Sequence, residues 1–522
     1  MQDAAGPAPG TALAIPAARA AAVTGAGASL LALAVVQVVE TSIPFPPLAV
    51  AEAILRATPG GIATFAIEAF GHLAQPVLVV LTTAAFLGAT WALGRALPSL
   101  SNAVRGGIPI AAFLLGLPLA LVGILVFAPN SATVARGSYA LVLLGGLVVG
   151  AAVTTWRARA LADRSATRSE DPLEVSRREV LRAAWLGGAG LALAWTGLGQ
   201  MVFGREHPES RALHVNVHEP FPAAPPADPS FDAITGLAPR VTRANDFYTI
   251  DTAIFDPIVD EQTWSLEVGG LVDRPFELAY DELLAQPGVS FASTLECISN
   301  EVGGDLISTG RWTGIQLRTL LERAGIGDGA VEVVSTSVDG FADSIPLGVA
   351  MRETSIVAVG LDGSPLPTAH GFPARLLIPG RYGMKQPKWL GSIELVDRPF
   401  EGYWEQRGWS RAAIVKTMSR IDAAVADGPE QIVAGVAFAG DRGISRVEVS
   451  TDGGRSWTDA EIEPAVSPLT WRRWRHRFTP AIAASGSTLV VVRGTDGDGE
   501  VQTQTVTSPH PAGSSGYDRS SV

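Results

Sequence analysis

The chain has 522 residues, 17% of them charged and 47% hydrophobic, with a mean hydropathy of +0.26. Length allows roughly three or four domains, and the low charge excludes a disordered polar protein and points to membrane. The net charge of −12 argues against an extended nucleic-acid surface. The single cysteine excludes an intrachain disulfide, a CxxC zinc site, a multi-cysteine iron–sulfur cluster and a CxxCH haem.

Five apolar runs come first, at 19–38, 72–93, 107–128, 137–156 and 183–203. Each is close to the ~20 residues that a helix needs to cross a bilayer, so residues 1–204 read as an all-α transmembrane bundle of about five helices. Arg157, Arg159, Arg164, Arg168, Arg177, Arg178 and Arg182 lie between the fourth and fifth runs, and Arg95 and Arg105 between the second and third. Only Arg56 and Arg136 fall in the opposite loops. Arginine marks the cytoplasmic side, which puts the amino terminus in the cytoplasm and everything after Phe203 outside it, in the cell membrane's outer space. Ser176-Arg177-Arg178-Glu179-Val180-Leu181 has the pattern of a twin-arginine export signal; the alternative is two arginines flanking a helix. A membrane b-haem needs two facing histidines, and only His72 is near a span. The bundle therefore reads as an anchor or a docking surface.

Residues 205–235 are Pro- and Ala-rich and read as an extended linker. Residues 236–408 interleave strand patterns (263–272, 331–335, 355–359, 374–378) with short helical ones (280–285, 315–324), the mark of an α+β domain. From 409 to 508 helical signals vanish. Alternating strands at 431–439, 444–450 and 487–494 and the turn residues Asp452-Gly453-Gly454 read as an all-β sandwich. Within it Trp474, His476 and Phe478 alternate with Arg473, Arg475 and Arg477, as a packed face and a solvated face would, rather than a nucleic-acid platform. Residues 509–522 read as a disordered tail.

Cys297 falls where the strand-like stretch 291–295 gives way to a loop. A buried cysteine is often only a small apolar residue. A lone thiol facing an oxidising compartment is a liability unless occupied, and thiolate is a ligand for soft metals. A second segment reads as an anion cradle: His370-Gly371-Phe372-Pro373-Ala374-Arg375, then Pro379-Gly380-Arg381-Tyr382-Gly383-Met384-Lys385-Gln386-Pro387-Lys388-Trp389. Its glycines permit close approach, and Arg375, Arg381, Lys385 and Lys388 offer charge-assisted donors to a phosphate. A basic surface loop would look the same.

Together these segments resemble the sulfite oxidase family of molybdenum enzymes over roughly residues 235–508. The resemblance is carried by Arg243-Ala244-Asn245-Asp246-Phe247-Tyr248, Thr294-Leu295-Glu296-Cys297-Ile298-Ser299-Asn300, Val338-Asp339-Gly340-Phe341 and Ser344-Ile345-Pro346. It continues through Pro365-Leu366-Pro367, His370-Gly371-Phe372-Pro373, Arg375, Gly383, Lys385 and Lys388-Trp389-Leu390-Gly391. It implies a molybdenum–molybdopterin cofactor with Cys297 as the metal's protein ligand. It also implies that Asn245, Tyr248, Thr249, Thr336, His370, Arg375, Lys385, Gln386, Pro387 and Lys388 bind that cofactor. By the same resemblance the sandwich is an immunoglobulin-like dimerisation domain, which would make the protein a homodimer.

The implied activity is two-electron oxygen-atom transfer, with sulfite or a related oxyanion oxidised. Animal members carry an arginine directly before the matching asparagine; here Ala244 stands there, with Arg243 one step earlier. Trp409 stands where those members place a tyrosine near the metal. Arg243, Arg407 and Trp409 are therefore the catalytic candidates beside Cys297. Loss of a fixed cation leaves sulfoxide reduction as an alternative, since sulfite needs charge-matched donors. Electrons would pass to a separate cytochrome or quinone-linked partner. A reading of another class is a non-catalytic cell-surface binding protein with an immunoglobulin-like module, which metal content would separate from the enzyme.

Overall fold

The computed structural model describes residues 213–252, 256–257, 259–480 and 487–522, with Thr58 and Leu81 besides. The chain divides into two compact units, Met1–Glu206 and His207–Val522. Apart from Leu81, the five apolar runs and the Arg177-Arg178 pattern lie outside the described residues. Among the described residues no helix is long and apolar enough to cross a membrane.

The second unit opens with β1 (Val217–His218), α1 (Pro229–Asp232), β2 (Ser265–Gly270), β3 (Phe276–Ala279), α2 (Tyr280–Leu284), β4 (Gly288–Glu296) and β5 (Ile307–Gln316). It continues with α3 (Leu317–Ala324), β6 (Glu332–Ser337), β7 (Ala342–Pro346), α4 (Leu347–Ala350), β8 (Ile356–Leu361), β9 (Ser364–Pro365), β10 (Arg375–Leu377) and β11 (Leu390–Val396). Two sheets result. One runs β1-β4-β5-β8-β10 with β9 paired to β8, and the other β3-β2-β11-β6-β7. Leu317, Leu320, Leu321 and Ala324 form the apolar stripe of α3, spaced as one face of a helix. That stripe packs in one core with Leu266, Val268, Val333, Val357 and Ile393, and so joins the two sheets. Gly325, at φ 73°, ends the helix in a conformation that costs a side-chain-bearing residue energy. Every residue of β4 is buried, with β1 and β5 on its flanks.

The all-β region follows with β12 (Met418–Asp427), β13 (Glu430–Phe438), β14 (Ile444–Ser450), β15 (Thr458–Asp459), β16 (Glu461–Ile462), β17 (Arg472–Phe478), β18 (Leu489–Asp496) and β19 (Asp518–Ser521). These form two four-stranded sheets, β12-β13-β17-β16 and β15-β14-β18-β19. Val433, Val447, Val449, Trp474, Val490 and Val492 fill the space between them.

Three expectations change. The described part of the 205–235 linker is not merely extended: β1 adds a parallel strand to β4, and Asp228 caps α1 through its side chain. Residues 509–522 are not a disordered tail, because β19 pairs with β18 over Leu489–Val492. The reason is hydrogen-bonding demand: without β19 that edge of β18 would present unpaired backbone groups. Arg473 does not lie on a solvated face. It is 2% exposed, bonded to Glu463 (2.6 Å) and Asp232 (2.7 Å), and its guanidinium lies over Phe231. A buried arginine is tolerable only when paired in this way.

Candidate active site

Strand β4 delivers Cys297 at its carboxyl end, 8% exposed. The turn beyond it is stapled by Asn300, whose Nδ2 donates to Glu296 Oε1 (3.0 Å) while its Oδ1 accepts from Leu306 N (3.0 Å). The Cys297 amide donates to Leu306 O (2.9 Å), and its Sγ sits 3.0 Å from Ser299 Oγ. Burial pushes the thiol upward against the hydrogen bonds from Ser299. Burial likewise pushes Glu296 up to about 7, against its bond from Asn300.

The second cluster is built around a close approach. Gly371 has φ 105°, and a Cβ there would come within 3.0 Å of the Cβ atoms of both Arg375 and Lys388. Only glycine therefore lets these two cations approach on either side of it. Arg375 is buried, lies 5.4 Å over the Trp312 ring, and donates to the His370 and Gln386 carbonyls (3.2 and 3.4 Å). Its Nε has no partner among the described residues. Burial lowers it to about 10, so it stays cationic at neutral pH. Lys388 donates to Ala369 O (2.6 Å) and pairs with Asp251.

His370 Nε2 lies 2.9 Å from Ala244 O. Burial, with Arg375 and Lys388 adding to it, pushes this imidazole down to about 4, so the ring is neutral. With a carbonyl facing Nε2, the proton sits there and Nδ1 is left as an acceptor. Phe247 packs edge-on against His370 and beside Tyr248. Burial, then the nearby Cys297, keeps the Tyr248 phenol protonated, while Arg375 opposes. Tyr248 thus stands in electrostatic contact with both Cys297 and Arg375.

The structure brings Cys297, Tyr248, His370, Arg375 and Lys388 together. The other candidates are placed differently. Arg243 points outward, its side chain 86% exposed and paired with Asp246 at 2.8 Å; Asn245 and Thr249 are also exposed. Thr336 is half-buried on β6, opposite Ala342 and Ser392. Gln386 spends its amide on backbone, donating to Arg381 O (2.8 Å) and accepting from Ile378 N (3.1 Å); Pro387 O accepts from Leu376 N. Arg381 donates to Ala412 O.

Lys385 is buried against two carboxylates, with Nζ donating to Asp343 (2.7 Å) and to Glu405. One ammonium serves two acids, and burial pushes Asp343 up to about 6, opposed by Lys385 and reinforced by Glu405. Arg407 lies 3.6 Å over the Tyr403 ring and donates to its carbonyl. Trp409 is buried with Ile298 and Met384, edge-on to His510, and its Nε1 has no partner among the described residues. Sequence reasoning missed Asp251, Glu296, Asp343 and Glu405. Glu296, Asp343 and Glu405 lie inside or beside segments already singled out, but nothing in their spacing announces pairing across 42 or 20 positions.

These groups fit a molybdopterin. A buried guanidinium whose Nε has no hydrogen-bond partner among the described residues suits a phosphate, the imidazole Nδ1 suits an N–H donor, and one thiol suits a soft metal. Among the described residues no three His, Cys, Asp or Glu side chains stand together as a metal cage.

Comparison with known proteins agrees. Residues 253–404 match the family described as the oxidoreductase molybdopterin binding domain, and residues 410–508 the Mo-co oxidoreductase dimerisation domain. Mouse mitochondrial sulfite oxidase is 28% identical over 318 residues, which are 51% of this chain and 56% of that protein. Sulfite oxidase of Arabidopsis thaliana is 28% identical over 371 residues, 59% of this chain and 93% of that one. The uncharacterized oxidoreductase YuiH of Bacillus subtilis is 31% identical over 173 residues, 33% of this chain and 85% of its own. The crystal structure of the sulfane dehydrogenase SoxCD from Paracoccus pantotrophus shares the fold, with a TM-score of 0.50 at 22% identity over 55% of this chain and 82% of that one. The chain belongs to the sulfite oxidase family of molybdopterin-dependent oxidoreductases. Its cofactor is a molybdopterin, and the sandwich is the family's dimerisation domain.

Two outcomes follow from the cradle. Gly371→Ala forces Arg375 and Lys388 apart and lowers cofactor retention by about 10–100-fold, read as molybdenum content and as pterin fluorescence after oxidation. His370 has a folded value near 4 against an ordinary 6.5, so the unfolded chain takes up its proton first. Its contribution to stability is complete above about 6.5 and is lost as pH falls toward 4. His370→Gln should flatten the stability-versus-pH curve in that window by on the order of 2–3 kcal/mol, measured by urea unfolding.

Proposed function

We propose that the protein is a membrane-anchored, extracytoplasmic oxidoreductase performing two-electron oxygen-atom transfer, with sulfite or a related oxyanion as substrate. The observation that carries this reading is the buried Cys297 thiol, linked through Tyr248 to the cation pair drawn together at Gly371. When bound, the molybdenum cofactor supplies the oxygen-atom transfer. The chain's own residues hold and orient it: Cys297 as thiolate on the metal, Arg375 and Lys388 against its phosphate, and neutral His370 accepting a hydrogen bond. The arginine distribution of residues 56–182 supports the outward placement of the second unit. The match of residues 410–508 to a dimerisation domain supports a homodimer. Electrons leave to a separate cytochrome or quinone-linked protein.

Sulfoxide reduction on the same cofactor is the second reading. It is favoured by two observations: Arg243 faces solvent on Asp246, and Arg407 is stacked on Tyr403, so neither stands as a fixed cation for a small dianion. Purified protein separates the two. Dye-linked oxidation of sulfite without viologen-linked reduction of dimethyl sulfoxide supports the first, and the converse supports the second. A folded protein without molybdenum or pterin would instead favour a non-catalytic surface binding protein.

A further inference from the structure

The dimerisation domain touches the Cys297 strand directly. Ser467 Oγ donates to Ala292 O (2.6 Å), Thr294 N donates to Leu469 O (3.0 Å), and Trp471 N donates to Thr294 Oγ1 (2.8 Å). Ser467, Leu469 and Trp471 belong to the sandwich, whereas Ala292 and Thr294 lie on β4, the latter about 10 Å of strand before the cysteine. The contact is dry: Ser467 is 7% exposed, Thr294 5% and Trp471 4%.

The grip extends through two more hydroxyls. Thr294 Oγ1 is hydrogen-bonded to Thr309 Oγ1 across the β4–β5 ladder. Thr309 is bonded twice to Thr242, its carbonyl accepting from Thr242 N (2.7 Å) and its amide donating to the Thr242 side-chain Oγ1 (3.3 Å). Thr242 opens the segment that carries Tyr248. Trp471 Nε1 also donates to Arg240 O (3.2 Å), so the same loop holds that segment from a second point.

Beyond the cysteine the sandwich grips again. Arg420 of β12 donates to Gly304 O (2.7 Å). At Gly303, with φ 77°, a Cβ would lie 2.9 Å from the Asp518 carboxylate of β19. Contacts from the dimerisation domain therefore bracket the Cys297 turn on both sides.

We propose that the loop Ser467–Trp471 positions the Cys297 sulfur and the Tyr248 segment, making the dimerisation domain a positioning part of the metal site. It acts through Thr294 and the Ala292 carbonyl. The proposal rests on the reading of Cys297 as the metal's ligand. Buried hydrogen bonds that converge on one rigid strand are the device by which a metal ligand is oriented from outside its own shell.

The test uses full-length, cofactor-loaded protein in four forms: wild type, Thr294→Val, Thr294→Ser and Ser467→Ala. Thr294→Val keeps the side-chain shape and removes the acceptor for Trp471 N. It should retain molybdenum within about twofold, shift the Mo(V) electron paramagnetic resonance spectrum, and lower kcat on the active dye-linked substrate by on the order of tenfold with KM little changed. Thr294→Ser should restore both spectrum and kcat, and Ser467→Ala should shift the spectrum in the same direction. A wild-type spectrum in both Thr294→Val and Ser467→Ala overturns the proposal. If Thr294→Val does not fold, the spectrum of Ser467→Ala decides alone. Cys297→Ser is run beside them: if it keeps wild-type metal content and spectrum, the metal-ligand reading fails, whereas failure of the clamp alone leaves the Cys297→Ser defect in place.

Discussion

Replacing Cys297 with serine is expected to lower molybdenum content and turnover together, by more than about a hundredfold, with the fold intact. The sulfur is the chain's single thiol, and its burial at the end of β4 means that no solvent-exposed substitute reaches the same point. Serine keeps the hydrogen-bonding geometry toward Ser299 but offers a hard oxygen in place of a soft thiolate. Elemental analysis, dye-linked assays and circular dichroism on the same preparation provide the check. Full metal and full activity in Cys297→Ser would remove the site described above.

Lys385→Met is expected to cost about 3–5 kcal/mol of stability at pH 8, because it leaves Asp343 and Glu405 buried without their cation. The loss has a pH signature. Asp343 already has its folded value raised to about 6 by burial, and without the ammonium it holds its proton to still higher pH. A group whose folded value is raised contributes stability at low pH and loses it as pH rises. The variant should therefore lie closer to wild type at pH 5.5 than at pH 8 in urea unfolding. Equal losses at the two values would mean that Lys385 acts by packing rather than charge. The neighbouring Gln386 carbonyl accepts from Arg375 (3.4 Å), so cofactor retention should fall with stability.

How much of this was legible depends on whether a signal was local. The α3 stripe of Leu317, Leu320 and Leu321 and the strand-to-loop change at Cys297 follow from side-chain spacing alone, and the structure agrees with both. The cradle was legible as a run of glycines and cations, but not which cations face inward. Arg375 and Lys388 do so beside Gly371, whereas Lys385 is taken up by acids from distant segments. Arg473 misled for the same reason. Strand alternation assigns it to the outer face, and only Glu463 and Asp232, brought in by other elements, make its burial tolerable. The Ser- and Gly-rich stretch after 508 has no periodicity of its own and becomes a strand only through its neighbour.

That last strand has a practical consequence. Val522 and Thr488 exchange both backbone bonds, N to O at 3.0 and 2.7 Å, directly after Asp518–Ser521 completes the sheet. Any sequence continued from Val522 would leave from a paired edge rather than from a loose end. Cleavage just before Asp518 that released this strand would bare the backbone of Leu489–Val492, inviting sticky edge-to-edge aggregates during preparation.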